Sequence, residues 1–101
     1  MNKVAKGNRI ELKARKKLEA EGYLVERKNR SRHHSPDFWG VFDLIAIKGA
    51  GVRLIQVKSN PTDFYKARPE ITTWKHANKV ALPCEVWLHI KSSEFRIEVM
   101  V

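Results

Sequence analysis

Residues 41–59, Val-Phe-Asp-Leu-Ile-Ala-Ile-Lys-Gly-Ala-Gly-Val-Arg-Leu-Ile-Gln-Val-Lys-Ser, constrain the fold more than any other stretch. Two β-branched apolar runs flank a Lys-Gly-Ala-Gly turn, the signature of a β-hairpin. A Gly49-Ala50 turn sets Lys48 against Gly51 and Asp43 against Gln56, whereas an Ala50-Gly51 turn sets Asp43 against Lys58. In either register the alternation of side chains puts Asp43, Gln56 and Lys58 on one face. Ile45, Ile47, Val52 and Leu54 share that face, and Phe42, Leu44, Ala46, Ile55 and Val57 take the other. A hairpin apolar on both faces belongs in the middle of a sheet that is covered on both sides.

Three polar groups at one end of a buried hairpin need a reason, because burying them unpaired costs free energy. One reason is an Asp43–Lys58 ion pair at a frayed sheet end. The other is a site, and a strand-borne Asp with Gln-x-Lys on its partner strand is a fairly specific constellation.

Length and charge narrow the choice. The 101 residues make one domain, 1–101, with one modest core. Lys and Arg number 20 against 11 Asp and Glu, a net charge of +9 that points first to nucleic acid and then to an anionic membrane surface. No apolar run approaches the roughly 18 residues of a membrane-spanning helix. The charged N-terminal residues lack an apolar signal core, so a cytoplasmic protein with no membrane association is expected. Cys84 is the single cysteine, which rules out an internal disulfide or a cysteine-rich zinc site.

Ahead of the hairpin, residues 6–22 predict a helix. Ile10, Ala14 and Leu18 form its apolar stripe and Gly22 stops it. Glu11 lies at the edge of that stripe. It suits either a surface pair with Arg15 or a second carboxylate delivered to the Asp43 face. Lys6, Arg9 and Lys13, with Lys3, Lys16 and Lys17, make the rest of the helix basic. Residues 23–28 predict a short strand and 29–36 a polar, basic loop. In that loop Arg30, Arg32, His33 and His34 favour phosphate contact over metal binding. Adjacent loop histidines rarely chelate together, and no second His or Cys pair lies nearby in sequence. Asp37 precedes the expected strand and reads as a bystander or as a support to the site. Phe38 and Trp39 suit the core, a dimer contact or a base-stacking platform.

After the hairpin, Thr62 caps a short helical turn to about Ala67. Pro69 then opens a second helix to about Val80, with Ile71, Trp74, Ala77 and Asn78 inward and Lys66, Arg68, Lys75, His76 and Lys79 outward. Two strands close the chain. A Ser92-Ser93 turn would pair Ile90 with Phe95, Leu88 with Ile97 and Val86 with Val99, all six on one face. The element order is therefore αβββαββ, an α/β sandwich around a mixed central β-sheet flanked by helices.

In this order and in these residues the chain resembles the PD-(D/E)xK nuclease superfamily, with its restriction-endonuclease-like fold. Within it the chain resembles the archaeal-type Holliday-junction resolvases and the related virus-type replication-repair nucleases. Lys6-Gly7-Asn8-Arg9-Ile10-Glu11 looks like the first helix with its Glu, Gly40–Ala46 like the strand carrying the Asp, and Ile55-Gln56-Val57-Lys58 like the (D/E)xK strand. Phe42 stands where Pro often precedes the Asp, and Gln56 where Glu or Asp is usual. The resemblance implies a metal-dependent endonuclease that hydrolyses DNA phosphodiesters, on structured or branched DNA. Mg²⁺, with Mn²⁺ as a substitute, would be held by Asp43, Gln56 and the Val57 carbonyl, with Glu11 binding through water or a second ion. Lys58 would orient the attacking water and stabilise the phosphorane charge. Catalytic roles thus fall to Glu11, Asp43, Gln56 and Lys58. A four-way junction needs two cuts, which implies a homodimer, with some of Phe38, Trp39 and Trp87 at its interface. The alternative is a catalytically degenerate DNA-binding module of a repair or recombination complex.

Overall fold

The computed structural model describes residues 3–27 and 37–101, with side chains from Gly7 onward. The elements run α1 (Lys3–Ala20), β1 (Leu24–Arg27), β2 (Leu44–Lys48), β3 (Gly51–Lys58), α2 (Pro61–Asn78), β4 (Cys84–Lys91) and β5 (Glu94–Met100). The five strands form one sheet in the order β1-β2-β3-β4-β5. All neighbours are antiparallel except β3 and β4, which the α2 crossover makes parallel. The expected α/β sandwich with a mixed sheet is what forms. None of the described helices is long and apolar enough to cross a membrane.

The hairpin sits second and third in the sheet and is buried on both faces. Lys48 opposes Gly51, so Gly49-Ala50 is the turn, with Gly49 at φ 60°. On one face Ala14 and Leu18 of α1 pack on Val25, Leu44, Ala46, Ile55 and Trp87. On the other, Phe64, Ala67 and Ile71 of α2 pack on Phe42, Leu54, Val86 and Leu88. The α1 stripe at Ile10, Ala14 and Leu18 is the one the spacing predicts, and all three are buried. The helix begins at Lys3 rather than residue 6, and Gly22 (φ 95°) closes it as expected.

Three expectations need correction. First, α2 is one helix from Pro61, capped by Asn60 rather than Thr62; the Asn60 side chain accepts the Asp63 N–H at 2.9 Å. It runs through Pro69, which forfeits one backbone bond. Phe64, Ala67 and Ile71, buried on both sides of Pro69, hold the helix together there. The continuous stripe rotates the helix so that Ala77 and Asn78 are exposed, while Lys75 is buried. The Lys75 Nζ donates to the Leu82 and Met100 carbonyls, which satisfies the ammonium away from water. Second, the β4–β5 register differs by one residue over most of its length. Trp87 faces Ile97 and Leu88 faces Arg96, and the ladder shifts between His89 and Lys91. A one-residue shift exchanges every face. Ile97 and Val99 therefore stand on the α1 side of the sheet with Trp87, partly exposed. Third, Trp87 is 1% exposed and belongs to the core, so it offers nothing to a second copy.

Candidate active site at the end of the hairpin

The site is built by a tight turn ahead of β2. Phe38 and Phe42 bond each other in both directions, N–H to carbonyl at 2.7 and 3.0 Å. The Val41 N–H closes the turn on the Phe38 carbonyl at 3.0 Å. Trp39 (φ 54°) and Gly40 (φ 71°) occupy its centre, both at positive φ as a type I′ turn requires. Gly40 adopts this freely, whereas a left-handed L-tryptophan costs roughly 1–2 kcal/mol. Asp37 and Asp43 are the residues immediately outside the Phe38–Phe42 bridge, so they are cross-strand neighbours.

At Asp43 the β2–β3 ladder slips. The last registered pair is Leu44 with Ile55, yet the Asp43 N–H also reaches the Ile55 carbonyl, at 2.9 Å. Two residues against one is the arrangement of a β-bulge, which re-aims a side chain. The slip explains why Phe42 and Ile45, an odd number of residues apart, both pack on the α2 side. It also turns the Asp43 carboxylate back along the sheet, where Oδ2 accepts the Val57 N–H at 2.7 Å.

Asp43 is 8% exposed, and Glu11 on α1 is 6% exposed. Burial is the main cause that pushes the Asp43 carboxyl up to about 8. The Val57 N–H opposes the shift, while the nearby Glu11 carboxylate and a hydrogen bond with Asp37 add to it. Glu11 is not paired with Arg15, which binds Glu19 instead. Its Oε1 accepts from Arg27 of β1 at 3.1 Å, and the same guanidinium nitrogen donates to Asn8 Oδ1 at 3.2 Å. Gln56 is 5% exposed, and its Oε1 is buried with no hydrogen-bond partner among the described residues.

The structure thus brings Glu11, Asp37 and Asp43 together and ties Asp43 to the Val57 backbone. Gln56 and Lys58 follow Val52 and Leu54 at two-residue spacing and share their face, toward α2. The bulge takes Phe42 and Asp43 out of the expected alternation, so Phe42 lies on this face and not on that of Leu44. Neither Gln56 nor Lys58 forms a hydrogen bond or ion pair with Asp43, so the Asp43–Lys58 ion pair is not what holds this end. Lys58 is half-buried. Arg9 is exposed on α1, and Lys13 lines a basic hollow of about 520 Å³ with Lys16 and Lys17. The side chain of Lys6, and Arg30, Arg32, His33 and His34 altogether, lie outside the described residues.

Two residues of this cluster are not given their place by the sequence. Asp37 is set beside Asp43 only by the left-handed Trp39, a conformation that no pattern rule assigns to tryptophan. Arg27 meets Glu11 through the docking of α1 on β1, a tertiary contact with no local signal beyond the charge of the residue.

As chemistry, the cluster is an accumulation of hard oxygen donors with too little positive charge among them. Three carboxylates, those of Glu11, Asp37 and Asp43, suit a hard divalent cation in donor type. Among the described residues, no three Asp, Glu, His or Cys side chains close on one point as ligands already set for a metal. The donors fit Mg²⁺ in kind, and such an ion would bind the Asp43 carboxylate in place of its proton. Neither the known family models nor the curated proteins contain a match to this chain.

Proposed function

We propose that the chain is a metal-dependent endonuclease that hydrolyses DNA phosphodiesters, with structured or branched DNA as its substrate class. One observation carries this reading. Asp43 is buried near the Glu11 and Asp37 carboxylates at a bulge in the central hairpin, and the Gln56 amide oxygen on the neighbouring strand has no hydrogen-bond partner among the described residues. A folded protein tolerates such a concentration of acceptors when a cation is to be held there. The net charge of +9 supports a polyanionic substrate, and the likeness in sequence to PD-(D/E)xK nucleases supports the reaction class.

In this proposal Asp43, Gln56 and the Val57 carbonyl hold Mg²⁺ or Mn²⁺, with Glu11 and Asp37 nearby to take water-mediated positions. The bound ion would supply charge relief on the phosphate and a more acidic water. Arg27 fixes the Glu11 carboxylate. Lys58, with no anionic partner among the described residues, is available to orient water and to meet charge that develops on the phosphate. Arg9 and Lys13 lie on the outer surface of α1 and make phosphate contacts. The protein works in the cytoplasm as a homodimer, because a four-way junction needs two cuts. With Trp87 in the core, the exposed Ile97 and Val99 of β5 are the apolar surface offered to the second copy.

The reading is tested by incubating end-labelled four-way junction, linear duplex, single strand and RNA with the protein, with and without Mg²⁺ or Mn²⁺. Metal-dependent cleavage, strongest on the junction, is the expected result. Binding without cleavage under any metal condition would favour a non-catalytic DNA-binding module instead.

A further inference from the structure

Trp39 is 62% exposed, although it is the largest side chain type and sits at a backbone angle that tryptophan rarely adopts. Two unfavourable choices at one position, in the turn that carries Asp37 and Asp43, point to use rather than accident. The indole is held from behind. Its ring lies 5.7 Å from Trp74, which stands edge-on to the fully buried Phe42 at 5.1 Å. The outer face of this aromatic series is open. Below it runs an apolar groove of about 360 Å³, floored by Ile45, Val52 and Leu54 and walled by Trp74, Val80 and Leu82. A volume at the lower end of the ligand-pocket range suits one flat ring system rather than a protein segment. The adjoining hollow, which shares Val80 with the groove, carries His76 and Lys79.

We infer that Trp39 and this groove receive an unpaired base of the nucleic-acid strand, stacked on the indole, with its phosphate toward His76 and Lys79. The inference rests on the nuclease reading and specifies it: the substrate must offer a splayed or single-stranded nucleotide beside the cleaved bond. Charge favours this occupant over a second copy of the chain. A nucleotide brings an aromatic face to the indole and a negative phosphate to Lys79, whereas the surface proposed for a second copy is that of Ile97 and Val99 on β5.

The test is a binding experiment in EDTA, so that it does not depend on cleavage. The probes are short single-stranded DNA, the same sequence as RNA, and a blunt hairpin duplex of equal charge whose two strands are joined by a linker without bases. Trp87 is buried and Trp74 half-buried, so quenching of tryptophan emission reports mainly on Trp39. The single strands should quench it and the hairpin should not. Trp39→Asn should fold at least as well as the natural protein, because Asn-Gly is the favoured type I′ pair. It should bind the single strands about tenfold more weakly, and the hairpin within about twofold of the natural protein. Equal single-strand affinity in Trp39→Asn would overturn the inference and leave the nuclease reading standing. So would conversion of a dimer to a monomer by this substitution in light scattering, which would make the groove a self-association surface. Absence of binding to every probe would remove the nucleic-acid reading and this inference with it.

Discussion

The Asp43 carboxylate accepts the Val57 backbone N–H at 2.7 Å, across the end of the central hairpin. One side chain thus replaces the ladder bond that the bulge removes. The price is a carboxylate sealed into the sheet beside Glu11 and Asp37. The bond fixes where Asp43 points, and the burial makes its charge expensive without a cation.

That charge gives the metal-free protein a pH-dependent stability. The Asp43 carboxyl stands at about 8 when folded, against an ordinary value of 3.8. Between these values the folded state keeps a proton that the unfolded state has lost, so stability falls as pH rises through that window. Asp43→Asn keeps an oxygen for the Val57 N–H and removes the titration. In EDTA its melting temperature should exceed that of the natural protein by several degrees near the top of the window and converge with it near the bottom. Parallel curves across the window would mean that Asp43 is ionised throughout.

Gln56→Glu should bind Mn²⁺ more tightly than the natural protein in a calorimetric titration, because a carboxylate adds charge where the amide oxygen has no hydrogen-bond partner among the described residues. No gain in affinity, with the fold intact by circular dichroism, would take Gln56 out of the ligand set.

Arg27 and Glu11 are 19% and 8% exposed at their side chains. Arg27→Ala should lower unfolding free energy by about 3 kcal/mol, the low end for a broken buried pair because Arg27 keeps some contact with water. Arg27→Ala combined with Glu11→Gln should recover part of that loss. Urea denaturation of the two single variants and the double variant closes the cycle. Strictly additive losses would show that the two side chains are not coupled.

Lys58 has no ion-pair partner among the described residues. Lys58→Ala should therefore leave the melting temperature nearly unchanged while lowering single-turnover cleavage by at least about a hundredfold. A stability loss with undiminished cleavage would assign Lys58 to the fold instead.

The hairpin was legible because its turn residues and two-sided apolar pattern admit few registers, and Gly49-Ala50 is one of the two that they allow. The α1 stripe was legible for the same reason of period. Elsewhere a single residue decided the outcome. Ser92 at φ 50° and the shift between His89 and Lys91 exchange the faces of the β4–β5 pair, and no composition rule places that shift. Pro69 looked like a helix start, yet the apolar contacts of Phe64, Ala67 and Ile71 outweigh one lost backbone bond. At the site, alternation located the Asp43 end of the hairpin. The bulge that aims Asp43 at Val57, and the turn that brings Asp37 alongside, depend on backbone angles that sequence pattern does not reveal.

The most direct measurement is single-turnover cleavage of an end-labelled four-way junction by the natural protein and by Asp43→Asn, each with Mn²⁺ and with EDTA. The account predicts product only from the natural protein with Mn²⁺, while Asp43→Asn binds the junction with similar affinity and yields none. Cleavage that persists in EDTA, or that Asp43→Asn carries out at the natural rate, would contradict it.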